Sequence, residues 1–324
     1  MLTKPDFIEK KVILIFAQNK EKISFKNDNI LITTPDGKIK FQLSCYNLFA
    51  LFIVGNITLT SGIISRSKKF GFSIILFTPG FKVYSTINFV LEGNFLLHEK
   101  QYTTTQSTEI AKQLIINKIT NQKDFLKKLR NKELKDSIKK LDETIDKLAA
   151  NNFDNYEIMG LEGTSAKIYF NRMFKEFNWQ GRQPRVKRDK INLLLDIGYT
   201  VLFNYIEAIL NIYGFDIYKG NLHKEFYKRK SLVCDIIEPF RPIVDYKIRK
   251  MINLQQIKDY KFTLYKGQYQ LDWHCSNNFV TLILEEILQY KTNIFDFIQQ
   301  YYRWFMKNEN IIKFPKATLT NDTN

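Results

Sequence analysis

Apolar positions change rhythm once along this chain. Up to about residue 90 they come in short runs broken by turn residues, and beyond it they recur every three or four positions over long stretches. The early runs at residues 12–16, 30–34, 38–43, 72–77 and 81–87 predict β-strands. Pro35-Asp36-Gly37 predicts a hairpin turn between two of them, because glycine reaches the positive φ such turns need, and Thr78-Pro79-Gly80 predicts a second. Residues 61–70 predict a short helix packed on this sheet. Later, Ala111, Ile115, Ile119, Leu126 and Leu129 form one helical stripe, and Ile138, Leu141, Ile145 and Leu148 another. Ala166, Phe170, Met173 and Phe177 line a third helix; Leu195, Tyr199, Leu202, Ile206 and Ile209 line a fourth that is apolar nearly all round and so central. The reading is an α+β protein: a β-rich N-terminal domain over 1–92, a linker over 93–106, an all-α bundle over 107–312, and a flexible polar tail over 313–324.

Charge narrows the partners. The 324 residues hold 49 Lys and Arg against 33 Asp and Glu, a net +16, so the chain attracts polyanions, with nucleic acid first and an anionic membrane surface second. The stretch 193–215 is apolar but interrupted by Asp196, Asn204, Glu207 and Asn211, which reads as a buried helix and not a membrane span. No secretory pattern opens the chain, and Cys45, Cys234 and Cys275 fit neither a disulfide framework nor a zinc knuckle, so a cytoplasmic setting is expected. The chain has no phosphate-cradling Gly-rich loop before Lys-Ser/Thr, no Gly-x-Gly-x-x-Gly and no Gly-x-Ser-x-Gly, which argues against a nucleotide-driven motor, a dinucleotide enzyme and a serine hydrolase.

What remains is histidine with carboxylates. His98 and His274 read as structural or solvated, whereas His223 ends a loop-like stretch after the central helix, where a side chain can face a cleft. Twelve residues on, Asp235 and Glu238 stand at i and i+3. On one turn of helix they would share a face, either as the crowded acid pair of a metal site or as a solvated turn paired to Arg241 or a nearby lysine. Glu162 lies in Gly160-Leu161-Glu162-Gly163-Thr164-Ser165, a turn-like run leading into the third stripe; it reads either as an acid favoured by a helix N-terminus or as a carboxylate with room for a bulky ligand.

Taken together, these pieces resemble the CRISPR-associated spacer-acquisition integrases. The resemblance rests on Gly160-Leu161-Glu162-Gly163 with Tyr169-Phe170, on Asn192 and Gly198-Tyr199, on Gly214-Phe215 through Leu222-His223, and on Ser231-Leu232 through Asp235, Glu238, Pro239, Phe240, Arg241 and Pro242. It is strongest over 160–242. It implies that Glu162, His223 and Glu238 bind Mg²⁺ or Mn²⁺, with Asp235 an acidic neighbour in the same catalytic site. It implies too that a 3′-hydroxyl of a short prespacer DNA duplex attacks a phosphodiester at a CRISPR repeat boundary, without ATP. A homodimer formed through the β domain, joined by the small second CRISPR-associated protein, is the implied assembly. One departure is the loop 182–190, which lacks the family's Pro-Pro-x-Asp type sequence and leaves the ligand set intact.

DNA as substrate accounts for the charge balance, and Arg182, Arg185, Lys187, Arg188, Lys228, Arg229 and Arg241 are the expected contacts. The competing readings are a structure-selective DNA repair nuclease, with water as nucleophile, and a non-catalytic DNA-bridging scaffold.

Overall fold

The computed structural model describes residues 3–17, 20–79, 81–87, 94–258, 260–307 and 309–319. A first helix, α1 (Lys4–Ile8), precedes seven strands: β1 (Lys11–Phe16), β2 (Lys22–Lys26), β3 (Asn29–Thr33), β4 (Ile39–Ser44), β5 (Leu48–Val54), β6 (Ser73–Phe77) and β7 (Val83–Ile87), with helix α2 (Ser61–Phe70) between β5 and β6. Strands β1, β5, β6 and β7 form one sheet in that order, the first three parallel and β7 antiparallel. The antiparallel set β2-β3-β4 forms a second. Gly37, at φ 81°, makes the expected turn between β3 and β4. Of the second expected turn, Gly80 lies outside the described residues.

The sequence pattern missed β2 and β5. All seven residues of β5 are buried, because it is central in its sheet and covered on both faces, so no polar alternation marks it. Alternate side chains go to opposite cores: Leu51 and Ile53 join Ile13, Ile15, Ile30 and Ile63, whereas Phe52 and Val54 join the helical core.

The helical part comprises α3 (Phe95–Thr103), α4 (Ser107–Lys127), α5 (Lys135–Ala150), α6 (Asn155–Met173), α7 (Lys190–Tyr213), α8 (Ser231–Ile236), α9 (Arg241–Asn253), α10 (Trp273–Gln289) and α11 (Lys291–Lys307), with a small hairpin of β8 (Phe262–Tyr265) and β9 (Gln268–Leu271) before α10. The four expected stripes fall on α4, α5, α6 and α7. Helix α7 is long and apolar enough to cross a membrane by composition, but 83% of its apolar window is buried inside the fold, which makes it the axis of the bundle. Gly198 permits that packing: a Cβ there would lie 2.5 Å from Val244 Cγ1 of α9.

Two expectations are corrected. The stretch taken as a linker is helical over α3, where His98 Nε2 lies 2.9 Å from the Gly214 carbonyl oxygen and Asn94 Nδ2 donates to the Tyr213 carbonyl, so the connection is bolted to the end of α7. The stretch taken as a tail is packed as far as it is described: Phe314 and Ala317 are buried, and Asn117 of α4 donates to the Pro315 carbonyl and accepts from the Ala317 amide.

Candidate active site

Glu162 sits mid-helix, not in a turn. Asp154 caps α6, its side chain accepting from the Glu157 amide while Glu157 reaches back to the Asp154 amide, and the helix started by that capping box runs through both glycines. Helix α4 packs alongside, and there Lys118 places its Nζ between two acids. It is ion-paired to Glu162 Oε1 and, at 2.6 Å, to Glu238 Oε2. Lys118 and Glu238 are almost fully buried, whereas the Glu162 side chain keeps a quarter of its surface. Glu238 also receives Arg241 at 2.9 Å.

These charges set one another. Burial pushes the Glu238 carboxyl up, but Arg241 and Lys118 outweigh it and bring it down to about 2. Burial pulls Lys118 down, but Glu238 and Glu162 outweigh that and hold it above the usual lysine value.

Asp235 and Glu238 meet different partners. Helix α8 stops at Ile236, and Glu238, held ahead of Pro239 in a short 3₁₀ turn, faces Lys118, while Asp235 faces the loop that follows α7. There Asp235 is fully buried. Its Oδ2 accepts from the amides of Asn221 (2.5 Å) and Leu222 (2.9 Å), and its Oδ1 from the His223 amide (3.0 Å) and His223 Nδ1 (2.7 Å). Gly220 lets the loop come this close, since a Cβ there would be 2.8 Å from Asp235 Oδ2. Asp235 is therefore a positioning residue for His223: it holds the proton on Nδ1 and leaves Nε2 as the nitrogen able to bind a ligand.

Behind Arg241 lies a second polar group that sequence reasoning missed. The Tyr199 and Tyr169 hydroxyls donate to the two oxygens of buried Asp245, and the guanidiniums of Arg182 and Arg241 lie 5.3 and 4.8 Å from the Tyr199 ring centroid. Burial pushes Asp245 up to about 6 against those hydrogen bonds. A cavity of about 500 Å³ opens between these groups, with Lys118, Glu162, Lys167, Arg182, Tyr199 and Arg241 in its wall. Lysine on an otherwise ordinary amphipathic helix carries no local mark, so Lys118 was legible only as part of the polar run Asn117, Lys118, Asn121 and Gln122, all buried.

The expected DNA contacts divide. Arg182 is clasped by Asn192 (2.9 Å) and Asp196 (2.6 Å), and Arg241 by Glu238, so both build the cavity wall instead of standing on the surface. Arg185, Arg188 and Lys228 are exposed, with Lys187 and Arg229 half-buried. Near Lys228, Phe226 and Tyr227 project from the loop that carries His223, and Lys224 of that loop donates to the Tyr156 hydroxyl on α6.

The donor types fit a hard divalent cation in part. Glu162 and Glu238 close on one point, which the Lys118 ammonium occupies; Glu238 Oε2, although touching Lys118, accepts no hydrogen bond of good geometry. The imidazole does not complete the set in this arrangement: among the described residues, no three His, Cys, Asp or Glu side chains come close enough to enclose a metal ion. His223 is near enough to act electrostatically on Glu238.

Comparison with solved structures places the fold first. The chain matches the casposase bound to integration product with a TM-score of 0.74 at 20% identity, over 96% of both chains. It matches a chain of the Cas6-RT-Cas1–Cas2 complex with a TM-score of 0.76 at 23% identity, over 95% of this chain but only 36% of that much longer one. The family follows from sequence: the model described as CRISPR associated protein Cas1 matches residues 14–285, and this chain belongs to that family. A relative named CRISPR-associated endonuclease Cas1 1, from Thermodesulfovibrio yellowstonii, is 27% identical over 263 residues, 76% of this chain and 82% of its own length.

Proposed function

We propose that this protein is a divalent-metal-dependent DNA integrase that joins short DNA duplexes into a CRISPR array. The observation that carries the reading is the closure of Glu162 and Glu238 on a single cation beside a positioned histidine, at the mouth of a cavity with cationic walls, in a Cas1-family chain. Glu162, Glu238 and His223 Nε2 are the atoms that would hold Mg²⁺ or Mn²⁺, and an ion bound there supplies positive charge against the scissile phosphate. Arg241 neutralises Glu238 from the far side and fixes its direction. Lys167 faces the cavity with the sign that a phosphate requires, and Arg182, paired to Asp196, builds its wall. The exchange is close to isoenergetic: a 3′-hydroxyl gives up its proton as its oxygen forms the new P–O bond, the repeat strand's own 3′ oxygen leaves and takes up a proton, and no nucleotide triphosphate is spent.

DNA would approach across the rim formed by Arg185, Arg188 and Lys228, with Phe226 and Tyr227 as exposed rings on which an unpaired base can stack. Two sites at a fixed span are needed to join both ends of a duplex. The exposed apolar Ile39 and Phe41 on edge strand β4 support a second copy pairing there, and the small second CRISPR-associated protein would bridge two such dimers.

The test is a joining reaction on supercoiled plasmid carrying a repeat array, with Mn²⁺. Joined product is expected from duplexes with free 3′-hydroxyls, none from duplexes with blocked ends, and a loss of at least a hundredfold with Glu162→Gln. Cutting that persists with blocked ends would replace this reading by a hydrolytic nuclease; activity indifferent to Glu162→Gln and chelator would leave a scaffold.

A further inference from the structure

Lys118 occupies the point at which the two acids converge, and it arrives there from α4, an element that carries no other part of the acid cluster. A desolvated ammonium is costly unless paired, and a pair of facing carboxylates is costly without a cation; each solves the other's problem here. Asn121, one turn further along α4, donates to the Pro239 carbonyl at 2.8 Å, which anchors this helix to the turn that carries Glu238. Arg241 takes the other oxygen of Glu238, so a divalent ion on Glu162 Oε1 and Glu238 Oε2 would compete with the ammonium for the oxygens it already holds, and the two would repel at a few ångströms. The lysine has somewhere to go, since its side chain also lines the 500 Å³ cavity.

We propose that Lys118 is a resident counter-cation that holds Glu162 and Glu238 together in the metal-free protein and is displaced into the cavity when a divalent cation binds. The inference rests on reading those two carboxylates as metal ligands, and it adds that metal affinity is set by competition with a side chain of the same molecule. It also makes metal loading and phosphate binding cooperative, because the ammonium released by the first enters the space of the second.

The test needs no DNA and no turnover. In the wild-type protein, the rate of amine acetylation at Lys118, followed by mass spectrometry, is expected to rise at least fivefold when Mn²⁺ replaces chelator, with surface lysines such as Lys228 unchanged. Lys118→Met and Lys118→Gln are expected to lower the melting temperature in chelator, to bind Mn²⁺ about tenfold more tightly by calorimetry, and to show a larger Mn²⁺-induced rise in melting temperature than wild type. Unchanged Lys118 protection in saturating Mn²⁺, or variants that bind Mn²⁺ no better than wild type, would overturn the displacement. If wild type binds no Mn²⁺ in a Glu162-dependent way, checked with Glu162→Gln, the metal-site reading itself fails, which is a different outcome from metal binding without displacement.

Discussion

Asp245 is held in a place that penalises its charge, and its two tyrosine donors only partly offset the penalty. The native carboxyl titrates near 6, well above its unfolded value of 3.8, so between those pH values the native state binds more protons than the unfolded chain. Its stabilising contribution is therefore complete below about 4 and lost as pH rises through 6, a change on the order of 3 kcal/mol. Glu238 works in the opposite direction and lower down, since its depressed pKa removes stability only as pH falls from 4.5 towards 2. Melting temperatures of wild type and Asp245→Asn from pH 4.5 to 7 should separate the two: wild type falls relative to the variant across the window, and parallel curves would contradict the assignment. Residue by residue, the sequence exposed the motif-bearing Glu162, His223 and Glu238 but not the groups that govern them. Lys118 and Asp245 acquire their character from helices distant in sequence, and no local pattern separates a buried lysine from a wet one. Asp235 was visible as an acid, but its partners were not: it accepts from the amides of Asn221, Leu222 and His223, whereas Glu238 meets Lys118.

Glycines mark where the elements serve function and where they serve packing. Gly160 and Gly163 lie inside α6, yet a Cβ at either would meet nothing within 4 Å, so neither packs against the fold. A helical glycine costs about 0.5–1 kcal/mol relative to alanine, and this helix bears that cost twice around Glu162, on a face where Gly163 borders the cavity. Gly160→Ala and Gly163→Ala should each raise the urea midpoint by about that free energy, while Gly163→Ala weakens DNA binding by crowding the bare face. Gly198→Ala should do the reverse to stability, costing about 1–3 kcal/mol as α7 is forced off Val244. Equal responses at Gly163 and Gly198 would remove the distinction. The same glycines explain a misreading: Gly-x-x-Gly looked like a turn, although Asp154 and Glu157 had already announced a helix. Strand β5 was missed for a related reason, since burial on both faces erases the alternation that reveals a strand.

At the scale of the whole molecule, the α+β layout was readable from the change in apolar rhythm, but the packing of its halves against each other was not. One face of the β1-β5-β6-β7 sheet belongs to the helical core: the Phe7 ring stacks on Phe295 at 4.1 Å, and Phe49 meets Tyr205 at 5.5 Å. Such a joint makes the two parts share one apolar core, and the net +16 surrounds the molecule with a positive field. Not every base contributes to that field in the same way. Arg182 and Arg241 are consumed by Asp196 and Glu238, whereas Arg185, Arg188 and Lys228 stand exposed. Each phosphate neutralised on duplex DNA adds about −0.9 to the slope of log affinity against log salt. Replacing Arg185, Arg188 or Lys228 by glutamine should thus flatten the slope by about one unit apiece, with an unchanged melting temperature. Arg182→Gln should instead lower the melting temperature with little effect on the slope, because it releases Asn192 and Asp196 at the start of α7. A slope that responds to Arg182 and ignores the three exposed bases would place the DNA on a different face of the protein.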